Sequence, residues 1–134
     1  MQIKFLEDEK EEVINLINGI FNTAGTIDNF KLGNNQRFLI IKNDNHVIGT
    51  TLITEKNDPI KGIKSFYLDY VCVKKEFRHM GLAKKMFSEI EKIAKEENVR
   101  KIELTSNNER KEAIEFYKKE VMKKKDTNLF EKYL

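Results

Sequence analysis

The stretch Val71 to Ala83, VCVKKEFRHMGLA, passes from an apolar alternating run through a turn holding Arg78 and Gly81 into Leu82, where a long amphipathic repeat begins. A strand feeding a helix in this way brings four unpartnered backbone N–H groups and the positive end of the helix dipole to one place, an anion site. Glycine at position 81 removes the side chain where an anion comes closest. Lys74, Lys75, Arg78, His79, Lys84 and Lys85 surround the junction, either as a solvated face or as the rim of that site.

Working outward, Lys64 to Val73 reads as the strand, and Leu82, Met86, Phe87, Ile90, Ile93 and Ala94 mark one helical stripe running to about Asn98. Ile102 and Leu104 alternate with Lys101 and Glu103, a second strand. The unit from Lys64 to Ser106 therefore predicts two parallel strands joined by a right-handed crossover. Upstream, Ile3 to Leu6 is a short strand, and Val13, Leu16, Ile17, Ile20 and Phe21 predict a helix ending near Gly25. Thr26 to Gln36 fits a short helix or an ordered loop. Arg37 to Lys42 and His46 to Thr54 predict a hairpin about Asn43-Asp44-Asn45, and Asn57-Asp58-Pro59 through Gly62 the next turn. Downstream, Ala113, Phe116 and Tyr117 mark a helix and Asn128 to Tyr133 a closing strand. The expected fold is α/β (α+β): a mixed, mostly antiparallel sheet of about six to seven strands flanked by helices, in a single domain of residues 1–134.

The 134 residues carry 25 Lys plus Arg against 22 Asp plus Glu, a net charge of +3, too mild for a dedicated nucleic-acid binder. Apart from Phe77, the basic cluster also lacks the interleaved aromatics that such a binder uses. One cysteine, Cys72, excludes an internal disulfide and fits a reducing compartment, with the cytoplasm as the default. No run of about 18 apolar residues predicts a membrane span, and the opening MQIKFLEDEK is too acidic for a secretory signal. G-x-G-x-x-G and G-x-x-x-x-G-K-[ST] are absent, and His46 and His79 lack partners at metal-ligand spacing, so no metal is expected. Cys72 lies within the strand with no base beside it, as a structural thiol does.

Arg78-His79-Met80-Gly81-Leu82-Ala83, after Val71-Cys72-Val73, resembles the [Q/R]-x-x-G-x-[G/A] signature of the GNAT superfamily of acyl-CoA-dependent N-acetyltransferases. Glu103-Leu104-Thr105-Ser106 through Arg110, Ala113, Phe116 and Tyr117 is similar to that family's E-L-T-S…R-x-x-A-x-x-F-Y stretch, and Asp126 to Lys132 to its closing strand. Two positions depart: Lys75 stands where a proline is common, and Glu120-Val121 where Gly-Phe is usual. The second bears on the entry to the closing strand and on part of the acceptor pocket.

The resemblance implies that acetyl-CoA is the co-substrate, its pyrophosphate held by the main chain of Arg78, His79, Met80, Gly81, Leu82 and Ala83. It implies that the backbone of Val71, Cys72 and Val73 pairs with the pantetheine arm and polarises the thioester carbonyl. Lys74, Lys75, Lys84 and Lys85 are then partners for the other phosphates, and Asn107 or Asn108 for the pantetheine or adenine side. An amine with a pKa of about 10.4 must lose a proton before attack. Asp69 stands where the family often places a carboxylate for that task, directly or through water, and Tyr117 where it places the acid that protonates the leaving thiolate.

Two function classes remain beside the nucleic-acid binder. One is an enzyme acetylating a primary amine of a small molecule or peptide, as a monomer or homodimer. The other is a catalytically silent acyl-CoA-binding domain, which would bind coenzyme A yet release no thiol. Asp69 and Tyr117 favour the enzyme. Glu7, Asp8, Glu9, Glu11 and Glu12 either draw a cationic amine or stabilise their own helix N-terminus.

Overall fold

In the computed structural model, which describes residues 1–134, five strands form one sheet in the order β1-β2-β3-β4-β5. β1 (Gln2–Phe5), β2 (Gln36–Asn43), β3 (His46–Asp58) and β4 (Ile63–Val73) pair antiparallel, and β5 (Val99–Leu104) runs parallel to β4. The helices are α1 (Lys10–Phe21), α2 (Leu82–Glu96) and α3 (Lys111–Phe116). The crossover unit β4–α2–β5 and the β2–β3 hairpin stand where the sequence predicts them. Asp44 and Asn45 turn that hairpin at φ 49° and 66°, a conformation that short polar side chains tolerate and that matches strand twist.

The sheet buries both faces. Leu39, Ile53, Phe66 and Leu68 pack with Met86, Phe87 and Ile90 of α2, whereas Phe38, Ile40 and Leu52 pack with Val13 and Ile17 of α1. Glu9, only 6% exposed, ties the start of α1 to the sheet by accepting from Lys4 at 2.8 Å and Lys42 at 3.0 Å. Glu12 accepts from the Val47 N–H at 3.0 Å. These two acids serve the fold.

Two expectations are corrected and one open alternative is decided. α1 stops at Phe21 because Asn22 takes the left-handed position at φ 56°, and Asn18 then fastens the following loop through both the N–H and the carbonyl of Gly25. Residues 26–35 form the ordered loop, with two turns closed from Phe30 N–H to the Thr26 carbonyl at 3.0 Å and from Gln36 N–H to the Gly33 carbonyl at 3.1 Å. The closing strand Asn128–Tyr133 does not form, so the sheet has five strands rather than six or seven. Its apolar residues come as neighbours, Leu129-Phe130 and Tyr133-Leu134, so neither face of a strand gathers them, and each is at least 77% exposed.

Candidate active site

The ladder between β4 and β5 ends at Leu68 opposite Leu104, but β4 runs on to Val73 against β3 alone. The backbone of residues 69–73 is therefore unpaired on the side from which β5 has departed. Within this stretch Leu52 opposes Asp69 and Thr50 opposes Cys72, so Tyr70 and Val71 share one place in the ladder, a β-bulge. Tyr70 adopts φ 50°, unusual for an aromatic residue, and its carbonyl accepts from the Thr50 hydroxyl at 2.7 Å.

Beyond Val73 a single 3₁₀ turn, Lys75–Phe77, leads to Arg78, whose Nε donates to the Val73 carbonyl at 2.8 Å and clips the turn to the strand end. His79 at φ 62° and Gly81 at φ 78° then reverse the chain into α2. The first helical bond is Lys85 N–H to the Gly81 carbonyl at 3.1 Å, and none of the N–H groups from His79 to Lys84 has a partner in the chain. No heavy atom lies within 4 Å of the position a Gly81 Cβ would take. The glycine is there for its backbone angle and leaves open space above it.

A cleft of about 760 Å³ separates this junction from α3. Val71, Cys72 and Val73 form one wall, Arg78, His79, Gly81, Leu82 and Ala83 the end, and Phe116 with Tyr117 the wall opposite. Met80 is 57% exposed and outside the cleft, as is Asn107, whose Oδ1 accepts from the Glu109 N–H at 2.9 Å. Two contacts cross from the α2 side to α3 and its extension: His79 Nε2 lies 3.1 Å from a Glu112 carboxylate oxygen, and Lys84 pairs with Glu120 at 3.2 Å.

Tyr117 sits where α3 widens into a π-turn, Tyr117–Val121, closed by the Met122 N–H on the Tyr117 carbonyl at 2.7 Å. Its ring packs edge-on against Phe87 and Phe116, and its hydroxyl has no hydrogen-bond partner in the chain. Burial pushes the phenol pKa up, opposed by Arg110. Burial likewise pushes up the Cys72 thiol, which therefore stays protonated. Asp69 lies outside the cleft, half-buried on the α1 face opposite Leu52; burial raises its pKa, and no cation pairs with it. No group of three or more His, Cys, Asp and Glu side chains gathers as a metal site.

The model of the acetyltransferase (GNAT) family matches residues 6–121. The chain belongs to the GNAT family. Among solved structures, a ribosomal-protein-alanine N-acetyltransferase from Brucella melitensis biovar Abortus 2308 superposes over 100% of both chains with a TM-score of 0.86 at 16% identity. An aminoglycoside acetyltransferase from an uncultured soil metagenomic sample, in complex with trehalose, covers 99% of this chain and 95% of its own, with TM-score 0.83 and 15% identity. The aminoglycoside N-acetyltransferase AAC(6')-Iy in complex with CoA covers 99% of each chain, with TM-score 0.80 and 14% identity. At these identities the likeness is one of fold. No curated protein matches significantly.

Within this GNAT fold, several residues that shape the cleft carry no signal in the sequence. Thr50 and Tyr70 read as ordinary strand residues, yet together they hold the bulge. Arg110 lies over the Phe21 ring at 4.6 Å, and Phe21 meets the Tyr70 ring edge-on at 5.5 Å, a column joining α3, α1 and β4. Only Arg110 was visible beforehand, as the first letter of R-x-x-A-x-x-F-Y.

Proposed function

We propose that the chain is an N-acetyltransferase that moves the acetyl group of acetyl-CoA to a primary amine by direct attack in a ternary complex. One observation carries this reading: six consecutive unpartnered N–H groups, His79 to Lys84, open onto a cleft that continues along the unpaired edge of β4 to a free phenol. A diphosphate needs such donors, and the helix dipole adds to them. Met80 takes part through its main chain alone. Lys74, Lys75 and Lys85 form no ion pair and are available for further phosphate groups, while Lys84 must first leave Glu120. Asn107, with its Oδ1 committed, has only its Nδ2 to offer the ligand.

In the reaction the amine nitrogen bonds to the acetyl carbon, the carbon–sulfur bond breaks, and the amine proton is replaced by the acetyl group. Asp69 accepts that proton, directly or through water. Its raised pKa makes it a stronger base than a free aspartate. Tyr117 holds a proton for the departing sulfur, and its own raised pKa keeps it protonated throughout the neutral range. A main-chain N–H in the stretch Val71 to Val73 polarises the carbonyl as charge develops on its oxygen.

Calorimetry with acetyl-CoA, followed by thiol release with a panel of amines, tests this reading. Binding together with amine-dependent release supports the enzyme. Binding without release identifies a silent acyl-CoA-binding domain, and absence of binding overturns both.

A further inference from the structure

A second cleft, of about 400 Å³, opens between α1, the loop of residues 26–35 and the α1 face of the sheet. Its walls are Ile14, Ile17, Phe30, Leu32, Leu52 and Tyr70. Tyr70 is the half of the bulge that faces this cleft, and its neighbour Val71 lines the first cleft, so the two spaces meet at one peptide unit. Asp69, the carboxylate beside that unit, opposes Leu52 in the ladder.

The charge of this second cleft is one-sided. No Asp or Glu lines it, and its one charged lining residue is Lys31, exposed and in no ion pair. Lys10 adds a second cation, 5.3 Å over the Phe30 ring. Two polar side chains on the lining are occupied: Asn18 bonds to Thr23 and Gly25, and Gln36 to Gly33 and Thr54. Of the acids near but not on the lining, Glu11 lies one turn before Ile14 on α1 and Asp28 beside Asn29 in the loop. Glu9 and Glu12 are moreover bonded into the sheet.

We propose that this cleft receives the acceptor and selects a primary monoamine carried on an apolar body, aromatic or branched aliphatic, against polycations. The inference rests on the N-acetyltransferase reading and narrows its substrate class. A polyamine or amino sugar entering here would lose the hydration of several ammonium groups and find no carboxylate in the lining to replace it, with Lys31 repelling it at the rim. An aromatic or branched body buries its apolar area against Phe30, Leu32 and Tyr70. Its single amine is then delivered toward the bulge, where Asp69 stands.

The test measures thiol release from acetyl-CoA by the full chain with 2-phenylethylamine, spermidine and kanamycin. The expected result is a kcat/KM for phenylethylamine at least about tenfold above either polycation, on the scale by which an apolar pocket discriminates. Phe30→Ala raises the KM for phenylethylamine several-fold with little change in kcat, and Lys31→Glu narrows the gap between phenylethylamine and spermidine. Acetyl-CoA binding with faster turnover of spermidine or kanamycin overturns the acceptor class and leaves the enzyme reading standing. So does a phenylethylamine KM that Phe30→Ala leaves unmoved. Lack of acetyl-CoA binding, or of thiol release with every amine, removes both.

Discussion

The Thr50 hydroxyl donates to the main-chain carbonyl of Tyr70 at 2.7 Å, across the point where β4 holds one residue more than β3. Thr50 is fully buried, and its oxygen also lies 3.2 Å from the Cys72 sulfur. Thr50→Val keeps the shape and removes the donor, leaving a carbonyl without a partner at a cost of about 1–3 kcal/mol. We expect a lower melting temperature and an acetyl-CoA affinity reduced several-fold. A lower melting temperature with unaltered affinity would make the bulge a purely structural feature.

Gly81→Ala separates backbone strain from ligand contact. At φ 78° an added Cβ costs about 1 kcal/mol, yet it meets no atom of the chain. The melting temperature should fall by only a few degrees. Acetyl-CoA affinity should fall further than that strain accounts for, because the new methyl group enters the space above the free N–H groups. Calorimetry of both quantities decides the matter, and equal small losses would place the phosphates elsewhere.

Asp69 and Tyr117 predict opposite limbs of a pH profile. A base must be unprotonated, so kcat rises with pH through the raised Asp69 pKa, above the ordinary value of about 3.9. An acid must be protonated, so kcat falls as pH passes the raised Tyr117 pKa, above about 10. Asp69→Asn abolishes the lower limb. Tyr117→Phe lowers kcat by roughly 10²-fold with little effect on acetyl-CoA binding, and an unchanged kcat removes the residue from its role. Stability supplies an independent check: a carboxyl with its folded pKa raised contributes stability below its unfolded pKa and loses it as pH rises through the folded one. Asp69→Asn should therefore melt no lower than the wild type at pH 7 while being far less active.

Glu9 behaves in the opposite sense. Burial alone would push its carboxyl up, but hydrogen bonds from Lys4, the Glu7 N–H and Lys42 outweigh that and hold it well below the usual carboxylate range. Its folded pKa lies under the unfolded value of about 4.3, so its contribution is complete above that value and fades as pH falls further. Glu9→Gln should melt at least about 5 °C lower at pH 7, since it leaves Lys4 and Lys42 facing no charge. Wild type and variant should converge as the pH is lowered below 4.3, the unfolded value of about that size. A gap that stays constant down to acid pH would assign the loss to packing alone.

Periodicity made the central crossover legible, because a run of apolar residues at helical spacing between two alternating stretches has few other solutions. Gly81 and the residues before it pointed to the turn into α2 for the same local reason, the backbone angle a glycine permits. Tyr70 was opaque: a bulge leaves no mark in composition, and its aromatic ring fits any strand. The π-turn at Tyr117 was opaque too, since no glycine or proline marks it in the sequence. Residues 128–133 misled in the other direction, having strand-forming side chains without the alternation that would let a sheet use them. The second cleft was not legible in the sequence, because it is assembled from α1, a loop and three strands that come together only in the folded chain.

Tyr70 is a surplus residue in the literal sense: the pairs on either side of it, Asp69 with Leu52 and Cys72 with Thr50, would survive its excision as a regular ladder. A lineage losing that one codon would keep its hydrophobic pattern and its core, and the strand would straighten where the two clefts now touch. The geometry at which the two clefts touch thus rests on a single residue, invisible to any measure of overall fold.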